Sequence, residues 1–230
     1  MIVRMGLLTR RPEVSQADFR RHWREVHGPL AARLPGLRRY HQNHVVDTRQ
    51  LAIDHARGSW SIDGISELWF DSDEDMNRAL SSEEYMEVAR DHHLFVGQTG
   101  LITAVQNVVV PVDPAAGLLV KRMSILTRKA GLTPEQFKEE WWGFHAEAVG
   151  KFPNLMGYTQ NLVTGRSAGL GQPASYEALP IDGMVEMWFR SVADIEAAFR
   201  SPAADVSQTH ALSFIAEITT FLVETHEVLP

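Results

Sequence analysis

Two histidines, each four residues after a tryptophan on an amphipathic segment, are the first side chains here whose type and setting could do chemistry. His27 lies in "FRRHWREVHGPLAARLPGLRRYHQN" (Phe19–Asn43), and His145 in "FKEEWWGFHAEAVGKFPNLMGYTQN" (Phe137–Asn161), 118 residues later. An imidazole titrates near neutrality and is the usual proton-transfer group. In the strand that follows, Tyr40 and Gln42 share a face with His44, as Tyr158 and Gln160 do with Leu162, so a phenol and an amide stand ready to orient a carbonyl or phenolic oxygen. A third group is acidic. Strand alternation sets Glu67 between Ile65 and Trp69, and Glu186 between Met184 and Trp188, on faces that should be buried. A lone buried carboxylate needs a partner or a raised pKa. Arg4 and Arg122, on neighbouring strands, are the expected partners, as Arg4–Glu67 and Arg122–Glu186. For each group a structural reading stands beside the catalytic one: a core histidine, a satisfied tyrosine, an ion pair within a sheet.

The elements that must position these residues repeat. "MIVRMGLLTR" alternates as a strand, with Val3, Met5 and Leu7 on one face and Arg4 on the other. Ser15 caps a helix that presents Phe19, Trp23, Val26, Leu30 and Leu34 at helical spacing. Pro29 removes an N–H and should end that helix at His27–Gly28. "LRRYHQNHVV" and "IDGISELWF" are strands around a loop at 48–61, "SDEDMNRALSSEEYMEVA" reads as one helix, and "LITAVQNVVVPV" closes the unit. The second half repeats the pattern, with a helix from Thr133 and Pro134, a loop over 165–180, "SVADIEAAF" as its second helix and "ITTFLVETHEV" as its last strand. Residues 62–72 and 181–191 agree at seven of eleven positions, so the chain is an internal duplication.

The order β-α-β-β-α-β, twice, predicts an α+β fold of tandem ferredoxin-like units. Each unit leaves one sheet face bare, and the second copy can cover it, forming a barrel-like core within one chain. Domains are expected over 1–112 and 113–230. The loops 48–61 and 165–180 are candidate lids, with Trp60 or Tyr176 closing over a ligand.

Composition narrows the function. The net charge of −7 argues against nucleic acid, and scattered Lys and Arg against a membrane patch. No cysteine is present, so disulfides and thiol chemistry are excluded, and with neither a signal peptide nor a run of about 18 apolar residues a cytoplasmic protein is expected. His22/His27, His41/His44 and Asp91-His92-His93 lack recognised metal spacing, and "GLG" (169–171) opens no helix as a phosphate loop would. Neither a metal nor a cofactor is expected.

With W-x3-H-x-P-L, Y-x-Q-N and D-G-x2-E-x-W-F in sequence, the chain resembles the EthD family, a branch of the dimeric α/β-barrel superfamily, over its whole length as two copies. The resemblance implies a hydrophobic pocket beside each sheet. It points to ether degradation alongside an oxygenase, or to relatives that are lactone isomerases and polyketide dehydratases or decarboxylases. Carried over, His27 is the catalytic candidate with Tyr40 and Glu67. Arg4, Trp23, Gln42 and Trp69, and from the second copy His145, Tyr158, Gln160 and Glu186, are substrate-binding candidates. In the second copy "HAEAV" replaces "HGPLA", which puts Glu147 at the place of Pro29 and calls a second active site into question. The expected protein is a cofactor-independent isomerase, dehydratase or decarboxylase for a hydrophobic aromatic, lactone or polyketide-like molecule. The alternatives are a monooxygenase-associated oxidoreductase component and a non-catalytic ligand-binding protein. It is expected to form an internal pseudo-dimer that can pair again as a homodimer.

Overall fold

The computed structural model describes residues 1–168 and 171–230; Gly169 and Leu170 of the "GLG" stretch lie outside the described residues. The first half runs β1 (Ile2–Arg10), α1 (Gln16–His22), a π-helical turn (Trp23–His27), α2 (Gly28–Ala31), β2 (Arg39–Asp47), β3 (Gly64–Phe70), α3 (Asp73–Leu80), α4 (Glu83–Phe95) and β4 (Val96–Val110). The second half repeats it as β5 (Val120–Arg128), α5 (Pro134–Glu140), a π turn (Trp141–His145), α6 (Ala146–Val149), β6 (Gly157–Ala168), the short β7 (Gln172–Pro173), β8 (Gly183–Phe189), α7 (Val192–Phe199), α8 (Pro202–Phe214) and β9 (Ile215–Leu229). The strand order is β4-β1-β3-β2-β9-β5-β8-β6, and β4 pairs back onto β6. All of these pairings are antiparallel, so eight strands close into a barrel with the helices outside.

Local chemistry accounts for the elements. Ser15 and Thr133 accept hydrogen bonds from the backbone of Asp18 and Gln136, and Thr133 completes a capping box with Gln136. The stretch read as one helix is two, because Ser82 accepts from the Tyr85 backbone N–H and starts α4 afresh. Residues 202–214, assigned no element from sequence, form α8 with Pro202 in its first turn. The 165–180 segment is not a loop throughout: β6 extends to Ala168 and folds back onto β7. Among the described residues, no helix is long and apolar enough to cross a membrane.

The repeated motifs each have a mechanical task. The Trp23 and Trp141 rings lie directly on Gly64 and Gly183, where an added Cβ would come within 2.2 and 2.4 Å of the indoles. Asp63 accepts from the Arg10 backbone and side chain, and Asp182 likewise holds Arg128. The D-G pair of each half therefore locks β3 to β1, or β8 to β5, and leaves room for the helix tryptophan.

Inside the barrel, Val3, Met5, Leu7, Ile65, Ile102, Met123, Ile125, Met184 and Phe221 form a dry core. Val3, Met5 and Leu7 thus point inward, and Arg4 and Arg122 face the helices. This overturns the expected Arg4–Glu67 and Arg122–Glu186 pairs, whose members stand on opposite faces of the sheet. The carboxylates meet a single lysine instead: Lys121 Nζ lies 2.8 Å from Glu67 and 2.7 Å from Glu186. Asn43 and Asn161 donate to these same carboxylates at 2.7 and 2.8 Å. Lys121 has no counterpart in the first half, where Val3 takes its place.

Lys121 is 4 % exposed, so removing its charge strands two carboxylates in the core. Lys121→Met is expected to destabilise the protein by about 3–5 kcal/mol in urea denaturation at neutral pH. Burial, then Glu67, already raises the Glu186 pKa. Without the lysine, the folded state holds protons that the unfolded chain releases. The deficit should therefore grow as pH rises above the ordinary glutamate range and shrink as pH falls. A deficit that does not change with pH would show that charge is not its cause.

Candidate functional site

Between the outer face of the first sheet and its helices lies a cavity of about 40 Å³, lined by Arg4, Trp23, His27, Tyr40, Ser66, Tyr85 and His92 among apolar neighbours. His27 Nδ1 is 2.8 Å from Asp91 Oδ2, and His22 Nε2 is 2.8 Å from Asp91 Oδ1. With Nδ1–H donating to the carboxylate, Nε2 is the ring nitrogen left as acceptor for a ligand. Burial alone would raise the Asp91 pKa, but the hydrogen bonds from His27 and His22 outweigh it and bring the pKa below the usual range. The Tyr40 oxygen accepts from Trp23 Nε1 and from Gln42 Nε2, both at 3.1 Å. Both acceptor positions are thereby filled and the O–H is left to donate. Burial raises the Tyr40 pKa to about 12, so the phenol stays neutral and acts as donor rather than base.

The π turn assembles this group. A π turn takes more residues per revolution than an α-helix, so the buried stripe passes from Trp23 to His27 and Ala31; Val26, expected inside, is 43 % exposed. His22 and His27, five residues apart, would diverge by about 140° on an α-helix. The π turn lets both reach Asp91. Gln42 Nε2 also donates to the Trp23 carbonyl at 2.7 Å, as Gln160 does to Trp141 at 2.8 Å, so the Gln of Y-x-Q-N supports the turn itself. The helix does not end at His27–Gly28. A wide turn recurs at Trp141–His145, kinked at Gly143 and without a proline, so Pro29 is not required for it.

The structure divides the predicted residues into three places. Arg4, Trp23, His27 and Tyr40 line one cavity, and Gln42 supports it. Glu67, Trp69 and Glu186 lie across the sheet, inside the barrel. Trp69 Nε1 donates to Gln106 there, and Trp69 and Glu186 border a cleft of about 900 Å³ at the barrel mouth. His145 and Tyr158 line a separate, mostly apolar cavity of about 50 Å³ in the second half, with Gln160 donating to the Tyr158 hydroxyl at 2.7 Å. Neither proposed lid covers His27. The 48–61 loop packs on the other half, where Ile53 and His55 wall the His145 cavity, and Trp60 lines the opposite barrel end. The Tyr176 hydroxyl donates to Asp182 at 2.8 Å, which anchors that ring. Sequence reading passed over Asp91, which it considered only as a metal ligand. Among the described residues, no group of three or more His, Asp or Glu side chains is arranged to hold a metal ion.

The two halves have exchanged their charges. The place of Asp91 is taken by His210, and the place of His22 by Glu140. Glu140 lies 3.0 Å from His210 Nε2, and His210 Nδ1 is 3.5 Å from His145 Nδ1. His145 therefore faces a histidine where His27 faces a carboxylate.

The EthD domain model matches residues 11–99 and 129–216, more than half of the chain, and the chain therefore belongs to the EthD family with two such domains. Among solved structures, an anthrone oxidase-like protein superposes with a TM-score of 0.63 at 12% identity, covering 99% of this chain and 92% of its own. A protein of Fusobacterium nucleatum provisionally described as a monooxygenase gives 0.61 at 6% identity, covering 97% and 91%. Another so described, from Lactobacillus acidophilus, gives 0.57 at 8% identity, covering 97% and 93%. These similarities are of fold. No curated protein matches the chain significantly.

Buried imidazoles line both cavities, and His44 packs on Trp23 at the edge of the first. Burial, then the neighbouring His27, lowers the His92 pKa to about 3, and burial, then His210, lowers His145 to about 3. Burial, then Arg20, lowers His44 to about 4, and His44 has neither ring nitrogen hydrogen-bonded. Each folded value lies below the unfolded one of 6.5, so the stability these groups contribute is complete above pH 6.5 and is lost as pH falls through 6.5 towards those values. The midpoint temperature should fall from about pH 6.5 downwards, and His44→Phe should flatten that slope. An unchanged slope in the variant would remove His44 from the account.

Proposed function

We propose that this EthD-family chain is a proton-transfer enzyme whose single active site is the His27 cavity of the first half. The observation that carries the reading is the hydrogen bond between His27 Nδ1 and Asp91, next to a Tyr40 hydroxyl whose oxygen already accepts two bonds. A general base needs an oriented, unprotonated nitrogen, and the oxygen that gains charge needs a donor that does not itself ionise. In the proposed step, His27 Nε2 takes the proton from a carbon next to a carbonyl. The C–H electron pair moves onto the carbonyl oxygen, which Tyr40 stabilises by donation. Return of the proton at another carbon is an isomerisation, and departure of a β-hydroxyl as water, carrying the proton held by His27, is a dehydration. In a decarboxylation His27 instead takes the proton of a β-carboxyl group, the C–C pair moves onto the carbonyl oxygen as CO₂ leaves, and His27 returns the proton to carbon. Asp91 acts through His27 as a positioning residue.

A cavity of about 40 Å³ is far below the roughly 150 Å³ that accepts a benzene ring. An aromatic or lactone substrate therefore enters with the α3–α4 layer displaced. Glu67 and Trp69 have no part in this step, because they belong to the barrel interior. The second half serves as a built-in partner for the first sheet. The rival reading, a monooxygenase-associated component, draws on the names of the fold neighbours.

The test is deuterium exchange in D₂O with a panel of lactones and β-hydroxy ketones, read by NMR. Exchange at the carbon next to the carbonyl is expected from the wild type, with a loss of about 10²–10⁴-fold in His27→Gln and none in His145→Gln. Undiminished exchange in His27→Gln would end the assignment. Incorporation of ¹⁸O from O₂ would favour the oxygenase reading.

A further inference from the structure

Arg4 is 8 % exposed, and among the described residues it makes no ion pair with a carboxylate. The carboxylate expected to hold it, Glu67, is on the other side of the sheet with Lys121. Asp91, on the same side as Arg4, is bonded to His22 and His27. Arg4 Nη2 reaches the Tyr85 hydroxyl only at 3.5 Å, with the guanidinium carbon 6.0 Å from the ring centre. Burial pulls its pKa below the ordinary arginine value. A buried cation without an anion costs stability, which makes Arg4 an unfavourable choice for a purely structural position. It lines the His27 cavity, whose volume of about 40 Å³ has room for about three waters. That is the size of a carboxylate with its first carbon.

We infer that Arg4 makes the His27 cavity selective for ligands that carry a carboxylate, received by the planar guanidinium fork beside His27 and Tyr40. The inference rests on the proposed active site and deepens it by naming the substrate class. The second half keeps His145 and Tyr158 on its cavity but not the arginine. Arg122 donates to the Gln50 carbonyl at 2.9 Å and lies 4.2 Å from the Phe199 ring centre, and it does not line the His145 cavity. The places of Tyr85 and His92 are taken by Ala204 and Ala211. One chain should therefore bind one carboxylate.

The experiment is calorimetric titration of the full chain with acetate, propionate and benzoate against acetamide, propionamide and benzamide at matched ionic strength. At least one acid is expected to bind about 10- to 100-fold tighter than its amide, at one site per chain. Arg4→Met should bring that ratio to about one without lowering the midpoint temperature, since it removes an unpaired buried charge. Should Arg4→Met fail to fold, Arg4→Lys carries the test: it keeps the charge but loses the fork, and should cut the acid preference about tenfold. Equal binding of acids and amides by the wild type overturns the inference, as do two acid sites per chain or an acid preference undiminished by either Arg4 substitution. His27→Gln separates this inference from the enzymatic one. It should keep the acid preference while losing exchange, so a failure of either idea shows in its own measurement.

Discussion

Each half of this chain builds a four-stranded sheet with helices on one side only, and the uncovered faces can be dry only against each other. That constraint sets the barrel, and the barrel decides which side of the sheet every polar residue faces. An apolar face such as Val3, Met5 and Leu7 turns inward because the partner sheet is there to meet it. Arg4, one residue out of phase, is then committed to the helix side. Glu67 and Glu186 are drawn into the core as a consequence of the same alternation, and Lys121 keeps them from repelling one another. Lys121 itself has raised pKa because its attraction to Glu186 and Glu67 outweighs the larger single effect of its burial.

The fold was legible from the spacing of apolar residues and from the two aligned copies, since alternation and capping are local properties. The registers within strands were legible too: Glu67 and Trp69 point away from Ser66, Leu68 and Phe70 as read. The partners were not. Which face of β1 meets the barrel depends on contacts between halves, and an alternating strand with Met and Leu on one side and Arg and Leu on the other offers no local clue. The site was half legible. His27, Tyr40 and Gln42 stand together, whereas Asp91 escaped notice because its link to His22 and His27 exists only across a π turn, and α-helical periodicity puts those histidines on different faces.

Duplication left two cavities with the same frame and different polar contents. The Trp-on-Gly contact, the glutamine beneath the π turn and the buried tyrosine are shared, and they are the parts that hold helix to sheet. The parts that differ all line the cavities or stand immediately behind them: Asp91 against His210, Tyr85 against Ala204, His92 against Ala211. The frame is therefore kept twice, whereas a carboxylate bonded to the cavity histidine is kept once. The loop at 48–61 adds to the asymmetry, since it leaves the first half to wall the cavity of the second.

The pairing of β2 with β9 ties the order of synthesis to the order of folding. Asn43 finds its ladder partner at Thr225, so the first sheet has an unpaired edge, and its inner face stays wet, until β9 has left the ribosome. Contacts of such long sequence separation form late, and exposed strand edges recruit other chains meanwhile. A nascent first half thus passes through a stage in which the natural cover for its sheet is the sheet of another copy. Domain-swapped dimers are the expected by-product when translation outpaces closure.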